Sequence, residues 1–458
     1  MEDMKNGKRS SFSGKLGYVL AAAGASVGLG NIWRFPYLAA KYGGGIFLII
    51  YIVLALTFGY TMIVAETAIG RMTRKSPVGA FKSFGKKKWL SFGGWINAVI
   101  PVLIVPYYSV IGGWVIKYLV EYFRGNAKQL AEDGYFTDFI SNGVSTELCF
   151  MAFCAFTLII IFAGVQNGIE RVSKIMMPIL IVLSVIIAVY SVTRPGALAG
   201  VKYFLVPNVK NFSWMTVVSA MGQMFYSLSI AMGILITFGS YMKKDTAIED
   251  STRNVEIFDT GIAIMAGLMI IPAVFAFSGG DPDTLQAGPS LMFITIPKVF
   301  QNMGFGTVIG IVFFLLVLFA AVTSSIALTE SAVSTFEDEL GWGRKKATVL
   351  VGVIMLALGS LSSLGYGPLA GIKIIGMQFL DLFDFLTNSV MMPIAALLTS
   401  LFVSRVVGID KIEEEIIHGE SAFRRKKVFV VMIKYLCPVF AIIILLSSVA
   451  NALGWIKM

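Results

Sequence analysis

Eleven apolar runs, most of them about as long as a bilayer is thick, constrain this chain more than anything else in it. Their limits are 15–40, 43–71, 91–124, 147–164, 170–192, 213–241, 255–278, 303–336, 346–364, 374–403 and 427–453. A helix of about 20 apolar residues crosses the ~30 Å hydrocarbon core. The runs at 91–124 and 303–336 are longer, which implies tilt or extension beyond the lipid. An all-α membrane protein with eleven transmembrane helices is therefore expected. Composition agrees: 57% of residues are hydrophobic, 14% are charged, and mean hydropathy is +0.80. Ordinary soluble domains carry roughly a quarter charged residues.

The net charge of +10 raises the question of a nucleic-acid partner. Its distribution answers no. With the N-terminus placed inside, 25 Lys and Arg fall on inner segments and 10 on outer ones. Arg34 and Lys434 lie within runs. This is the inside bias that orients membrane proteins. It predicts a cytoplasmic N-terminus and, after eleven spans, an extracellular C-terminus.

Cys149, Cys154 and Cys437 lie in or beside apolar runs without metal-like spacing and read as small core residues. The single histidine, His418, lies in a charged loop, which excludes a histidine-based metal or catalytic site within the spans. Two connecting stretches read as more than loops. Residues 279–300 are apolar enough to fold back as a short helical pair on the outer face. Residues 405–427 are strongly charged and expected to be helical at the inner surface.

The first run contains an anomaly. "VGLGNIWRFP", Val27 to Pro36, places two glycines, an asparagine and an arginine where a lipid-facing helix would carry none. Lipid demands that a backbone satisfy itself, so a break is tolerated only where the freed groups line a cavity or bind something. Freed carbonyls before a break suit a cation, and freed N–H groups after it suit an anion. Close helix packing through small residues explains glycines equally well. The sixth run carries a second such stretch, "GQMFYSLSIAMG", Gly222 to Gly233. Interrupted helices at matching places in two halves point to an inverted-repeat transporter, with runs 1–5 (15–192) and 6–10 (213–403) as the repeats and run 11 (427–453) added. The whole chain, 1–458, would be one transporter domain.

"GASVGLGNIWRFPYLAAKYGGGIF" (24–47) resembles the signature of the neurotransmitter:sodium symporter family. "GQMFYSLSIAMG", "AAVTSSIAL" (320–328) and "FEDEL" (336–340) resemble further family segments, in the same order. The resemblance covers nearly the whole chain. It implies the LeuT-type 5+5 inverted repeat, with helices 1 and 6 unwound at mid-membrane. Eleven spans rather than twelve are closer to bacterial than to animal members, which implies the plasma membrane of a bacterium.

Carried over by resemblance, one sodium site would use carbonyls of Gly24, Val27 and Ala320 with the hydroxyls of Thr323 and Ser324. The other would use Ser26, Asn31, Ser227 and Asp259. Oxygen ligands suit a hard cation. Alone, Thr323 and Ser324 would read as hydroxyls bonded to their own helix. The family commonly places Asn at Asp259. Bacterial relatives often place a Glu one turn on, where this chain has Ala263. Asp259 would then serve both as sodium ligand and as the charge that replaces chloride, so no chloride is expected. The substrate pocket would comprise Ser26, Gly30, Ile104, Tyr108, Tyr226, Ser229, Met232, Ser324 and Leu328. Gly30 N–H and Tyr108 OH would hold a carboxylate. Monoamine carriers place an Asp at Gly28, and its absence favours an amino acid. Met232, flexible where Phe is common, suits aliphatic and aromatic side chains alike. Arg34 and Asp384, with Asp381 as rival, would gate the outer side together with Tyr108 and Tyr226. Arg9 and Asp338 would gate the inner side near Tyr241, with Phe12 in place of the usual Trp.

The fifth run opens "GIERVSKIMMP". Gly168 and Pro178 would let this stretch unwind and admit water to the second sodium, although a plain proline kink fits the same residues. The expected function is a sodium-coupled symporter of hydrophobic L-amino acids working by alternating access. The alternatives are an ion channel and a sodium-coupled carrier of another small carboxylate-bearing solute. No metal triad or nucleophile elbow supports an enzyme. The oligomeric state is not readable.

Overall fold

A computed structural model describes residues 9–85, 87–279, 288–452 and 454–455. Among these residues the chain is helical, and only two isolated β-bridges occur, Gly44–Pro207 and Ile374–Met377. Among the described residues nine helices are long and apolar enough to cross a membrane: Gly45–Thr73, Lys88–Phe123, Gly143–Phe162, Val165–Val192, Ile248–Ser278, Gly306–Leu340, Arg344–Leu364, Phe379–Val407 and Lys426–Asn451. The pair Lys15–Ser26 and Gly30–Lys41, bent by 53°, makes a tenth. The remaining run appears as Trp214–Ser227 and Ile234–Tyr241, each too short to span by itself. The helices are called spans 1 to 11 here in chain order, with these two segments as span 6.

The limits lie within seven residues of the expected ones, and two starts show why they move. Span 4 begins at Gly143 rather than 147, because Asn142 caps it by accepting the Ser145 N–H at 3.0 Å. Span 7 begins at Ile248 rather than 255. Its first turn carries Glu249 and Asp250, which favour a helix N-terminus, and Glu420 accepts their backbone N–H groups at 2.5 and 3.3 Å. Apolarity alone hides such charged first turns.

The bilayer decides which helices lie inside. Span 1 is buried from Gly17 to Ser26, and Ile234–Tyr241 is buried throughout. The more uniformly apolar spans 4, 5 and 11 expose Phe156, Ile159, Val182, Val189 and Leu446. Lipid accepts those side chains at no cost, so they cover the helices whose backbones are broken. Span 2 and the second half of span 6 meet backbone to backbone. A Cβ on Gly70 would lie 2.0 Å from the Ile236 carbonyl oxygen, and one on Gly239 2.5 Å from that of Thr67.

The charged inner loop contains the expected helix, Ile409–Ile417. It straps across the inner ends of spans 2 and 7. Arg71, fully buried, donates to Glu415 Oε1 at 2.7 Å and to the Thr246 carbonyl at 2.5 Å. Glu249 accepts the N–H groups of Arg424 and Arg425 at 2.8 and 2.9 Å. Of the helical pair expected at 279–300, the structure describes Leu291–Gln301. The first member lies outside the described residues.

Candidate functional site

Both interrupted runs are broken where their sequences break rules. Span 1 stops at Ser26, passes through Val27 in an extended conformation, and resumes at Gly30 as a wide turn. Span 6 stops at Ser227 and resumes at Ile234. Between them Ser229 (φ 52°), Ala231 (φ 59°) and Gly233 (φ 70°) adopt left-handed conformations. Two L-residues in that region cost roughly 1–2 kcal/mol each, so the surroundings must hold them. Ser229 Oγ donates to the Ala25 carbonyl at 3.0 Å, and the Ala231 N–H donates to Glu66 Oε1 at 2.8 Å. Gln223 Nε2 donates to the Gly30 carbonyl at 3.0 Å. The two breaks therefore face and brace each other.

On one side of the breaks is a polar knot. Asn31 Nδ2 donates to Asp259 Oδ1 at 2.8 Å and to Ser227 Oγ at 2.9 Å. Ser227 Oγ donates to Asp259 Oδ1 at 2.8 Å. Asn31 and Asp259 are fully buried. The structure thus brings three residues of the first expected sodium site together. The fourth, Ser26, lies in the same cavity wall but turns its hydroxyl to the Ala22 carbonyl at 3.1 Å.

The second expected site gathers on the other side. Ser324 Oγ lies 3.3 Å from the Gly24 carbonyl oxygen, 3.1 Å from that of Ala25 and 3.4 Å from that of Val27. Thr323 Oγ1 lies 3.2 Å from the Ala320 carbonyl oxygen and 3.0 Å from that of Phe319. One hydroxyl has one hydrogen to give. Three carbonyls around it are an excess of acceptors, and such a set fits a hard cation. Among the described residues no group of three or more His, Cys, Asp or Glu could hold a metal ion; a sodium-like ion at this second position would rest on carbonyls and hydroxyls.

Between the two sites lies a small cavity of about 30 Å³. Ser26, Gly30, Ile104, Tyr108, Tyr226, Ser229, Met232, Ser324 and Leu328 all line it. Gly28 lines it too, and a Cβ there would meet Ser324 Oγ at 2.7 Å. A Cβ on Gly30 would meet the Tyr226 ring at 2.5 Å. Tyr108 OH accepts from the Leu29 N–H at 3.3 Å, which aims the phenol at the break in span 1.

On the side expected to face inward, the proposed gate residues are in contact. Arg9 Nη1 reaches both oxygens of Asp338 at 2.7 Å, Arg9 Nε donates to Ser240 Oγ at 2.7 Å, and the guanidinium lies over the Tyr241 ring. Phe12 is buried against Tyr18, Phe238 and Tyr241. The outer pair differs from expectation. Among the described residues no ion pair joins Arg34 to Asp384. Arg34 lies over the Tyr226 ring at 5.4 Å, while Asp384 accepts from Tyr107 at 3.3 Å and from Asn388 at 2.5 Å. Asp381 is held by Tyr366 at 3.2 Å. With the inner pair formed and the outer pair parted, span 5 is continuous. It opens with a wide turn, Val165–Glu170, and carries Pro178 inside its helix. Gly168 has a packing role in this state, since a Cβ there would lie 2.1 Å from the Ile160 carbonyl oxygen.

Three residues escaped the sequence reading. Tyr51 donates to Asp259 Oδ2 at 3.0 Å and to Ser227 Oγ at 3.2 Å. Nothing in its apolar run marks it. Gln223 lies inside the quoted motif of span 6, where its sequence position alone marks no partner. Glu66 was legible: it is the one charged residue between 43 and 70, and an intramembrane carboxylate is a functional candidate by default. At the inner gate Tyr241 OH donates to Glu330 Oε1 at 2.7 Å. Arg344 binds Glu330 Oε2 at 2.5 Å and the Ile161 carbonyl at 2.9 Å.

The model of the sodium:neurotransmitter symporter family matches residues 9–133 and 121–455. The sodium-dependent transporter YhdH of Bacillus subtilis is 34% identical over 97% of this chain and 99% of its own. The human sodium- and chloride-dependent GABA transporter 2 is 26% identical over 89% of this chain and 75% of its own. The crystal structure of MhsT in complex with L-phenylalanine superposes with a TM-score of 0.86 at 35% identity, covering 96% of this chain and all of that one. That neighbour has the LeuT fold, so broken spans facing one another across a cavity are the fold's own arrangement. The chain is a multi-pass, sodium-dependent transporter, not an enzyme, and belongs to the sodium:neurotransmitter symporter family.

Proposed function

We propose that the protein is a symporter of hydrophobic L-amino acids, aliphatic and aromatic, coupled to two sodium ions and independent of chloride. It works by alternating access as one domain in the plasma membrane of a bacterium, N-terminus inside and C-terminus outside. The carrying observation is the two-sided lining of the central cavity. Ile104, Met232 and Leu328 line it with apolar groups, while Gly30, Ser26 and Tyr108 supply polar ones at the break in span 1. A zwitterion with an apolar side chain matches both parts. The relative crystallised with L-phenylalanine supports the same reading. Gly28, with no room for a side chain, leaves no acidic group there to meet a decarboxylated amine.

The cation positions take their charge from different sources. Asn31, Ser227 and Asp259 offer a carboxylate. Gly24, Val27, Ala320, Thr323 and Ser324 offer dipoles only. At about 100 mV each inward sodium ion gains ~2.3 kcal/mol, and a tenfold gradient adds ~1.4 kcal/mol. Two ions supply about 7.4 kcal/mol, sufficient for roughly 10⁵-fold accumulation of a net-neutral substrate. A channel is disfavoured because the polar residues gather at two breaks and two gates, with no repeated filter sequence. The test is equilibrium binding of the twenty amino acids to purified protein in NaCl, sodium gluconate and KCl. Leucine, valine, phenylalanine and tryptophan are expected to bind in both sodium salts and not in KCl. Equal binding in sodium and potassium rejects the coupling, and loss in gluconate rejects chloride independence.

A further inference from the structure

The segment leading into span 1 runs along the first turn of span 5, and one side chain takes up its polar groups. Glu170, 2% exposed, accepts the Ser13 N–H at 2.8 Å and also the Ser13 hydroxyl. It pairs with Lys174 at 2.6 Å, and Lys174 Nζ reaches Ser13 Oγ at 3.3 Å. Lys243 donates to the Ser13 carbonyl at 2.8 Å, and Gln166 to that of Ser11 at 2.6 Å. Span 1 is shaped for this contact. A Cβ on Gly17 would lie 2.4 Å from the Glu170 carboxyl carbon.

The position of Glu170 gives the contact its consequence. It is the last residue of the wide turn Val165–Glu170 that opens span 5. Two turns on, Met177 Sδ lies 3.5 Å from where a Cβ on Gly24 would be. Span 5 therefore covers the carbonyl set proposed for the second sodium ion. One carboxylate ties together the inner-gate segment, the irregular turn and the helix that roofs that site.

We infer that Glu170 is a positioning residue for sodium release, a latch that makes departure of the N-terminal segment and hydration of span 5 one event. The inference rests on the sodium-symport reading above. While Arg9 holds Asp338, Ser13 stays in place and Glu170 has its donors. When the segment leaves, the Ser13 N–H and hydroxyl go with it. A nearly buried carboxylate is then left to Lys174 alone, and the missing hydrogen bonds are costly unless water replaces them. Water drawn to Glu170 enters at the irregular turn, where the helix gives way most easily. In the reverse direction, Ser13 returns, displaces that water and seals the turn.

The test uses the full-length protein with Cys149, Cys154 and Cys437 replaced by Ala and Ser173→Cys added. Ser173 is buried on the face of span 5 that carries Met177, one turn from it. The rate of labelling by a hydrophilic maleimide is read with and without saturating sodium. Sodium slows labelling in this background if the symport reading holds, and no sodium effect rejects that reading. Given protection, Glu170→Gln and Gly17→Ala should each raise the rate in sodium about tenfold, as loss of a hydrogen bond to a charged group does. Gly17→Ala displaces the carboxylate sterically and keeps its charge. If Glu170→Gln does not fold, Gly17→Ala decides alone. A background rate for Gly17→Ala overturns the latch, whatever Glu170→Gln does. Cys154, buried in span 4 and restored as the single cysteine, should label at one rate in all variants. A parallel rise there means general loosening and also overturns the latch.

Discussion

Asp259 sits fully buried and accepts from Asn31, Ser227 and Tyr51. Three donors orient a carboxylate but do not cancel its charge, and an intramembrane charge needs a counter-ion. If that counter-ion is sodium, Asp259→Asn removes the charge that stands in for chloride. Transport by this variant is expected to weaken or to become chloride-sensitive, read as uptake in chloride against gluconate. Full activity in gluconate would show that the charge is dispensable. Met232, nearly buried in the cavity wall, sets the room for the substrate side chain. Met232→Phe adds a rigid ring, and overpacking costs about 1–3 kcal/mol. Tryptophan binding should therefore fall more than valine or leucine binding. A uniform loss would place Met232 away from the side chain. At Gly30 space is tighter still: Gly30→Ala sets a Cβ against the Tyr226 ring, and binding of every substrate should drop together.

Among the elements, spans 1 and 6 are broken here and span 5 is continuous, although its sequence is expected to let it unwind. The break in span 6 carries left-handed residues with dedicated partners, including a buried glutamate from span 2. Span 5 has no such partners within its helix. It is continuous beside the formed Arg9–Asp338 pair, with Pro178 already lacking one helical hydrogen bond. Gly168, assigned to a hinge from the sequence, packs on the Ile160 carbonyl, so its smallness is needed before any unwinding. The hinge role is tested better at Pro178. Pro178→Ala restores a helical N–H and should slow sodium release. Uptake should fall several-fold with substrate binding retained, measured in the same preparation. Wild-type uptake, or binding lost in step with uptake, would leave only a kink.

At the scale of the molecule, most of the ion pairs lie on the inner side of the expected topology; Lys117 and Arg124 with Glu121, and Lys298 with Asp133, lie on the outer side. Arg9–Asp338, Arg344–Glu330 and Arg71–Glu415 all lie on the inner side of the expected topology. Arg71 is fully buried and Glu415 nearly so, and removing one partner of a buried pair costs about 3–5 kcal/mol. Lys244 also reaches Glu415 at 2.7 Å and offsets part of that loss. Arg71→Leu is therefore expected to lower thermal stability measurably, while Lys82→Ala, which breaks the exposed pair with Glu339, should change it by less than about 1 kcal/mol. Equal effects would mean that the strap over spans 2 and 7 adds no stability.

The sequence by itself determined which stretches are long and apolar enough for the bilayer and where two of them break. Those are local properties. Apolar length, a pair of glycines or a hydroxyl pair in an apolar run can be read without knowing the neighbours. The expected pocket residues, carried over by resemblance, line one cavity. The tertiary structure decided the partners. Glu66 meets Ala231 across 165 residues, and Arg71 meets Glu415 across 344. Tyr51 looks like any aromatic residue of its run until Asp259 lies beside it. Ser13 carries no motif, and Glu170 lies within the quoted opening of span 5 without anything to mark it. A polar side chain in a membrane protein acquires its role from the one group that desolvation forces it to find. That group is chosen by the packing of whole helices, which no local pattern encodes.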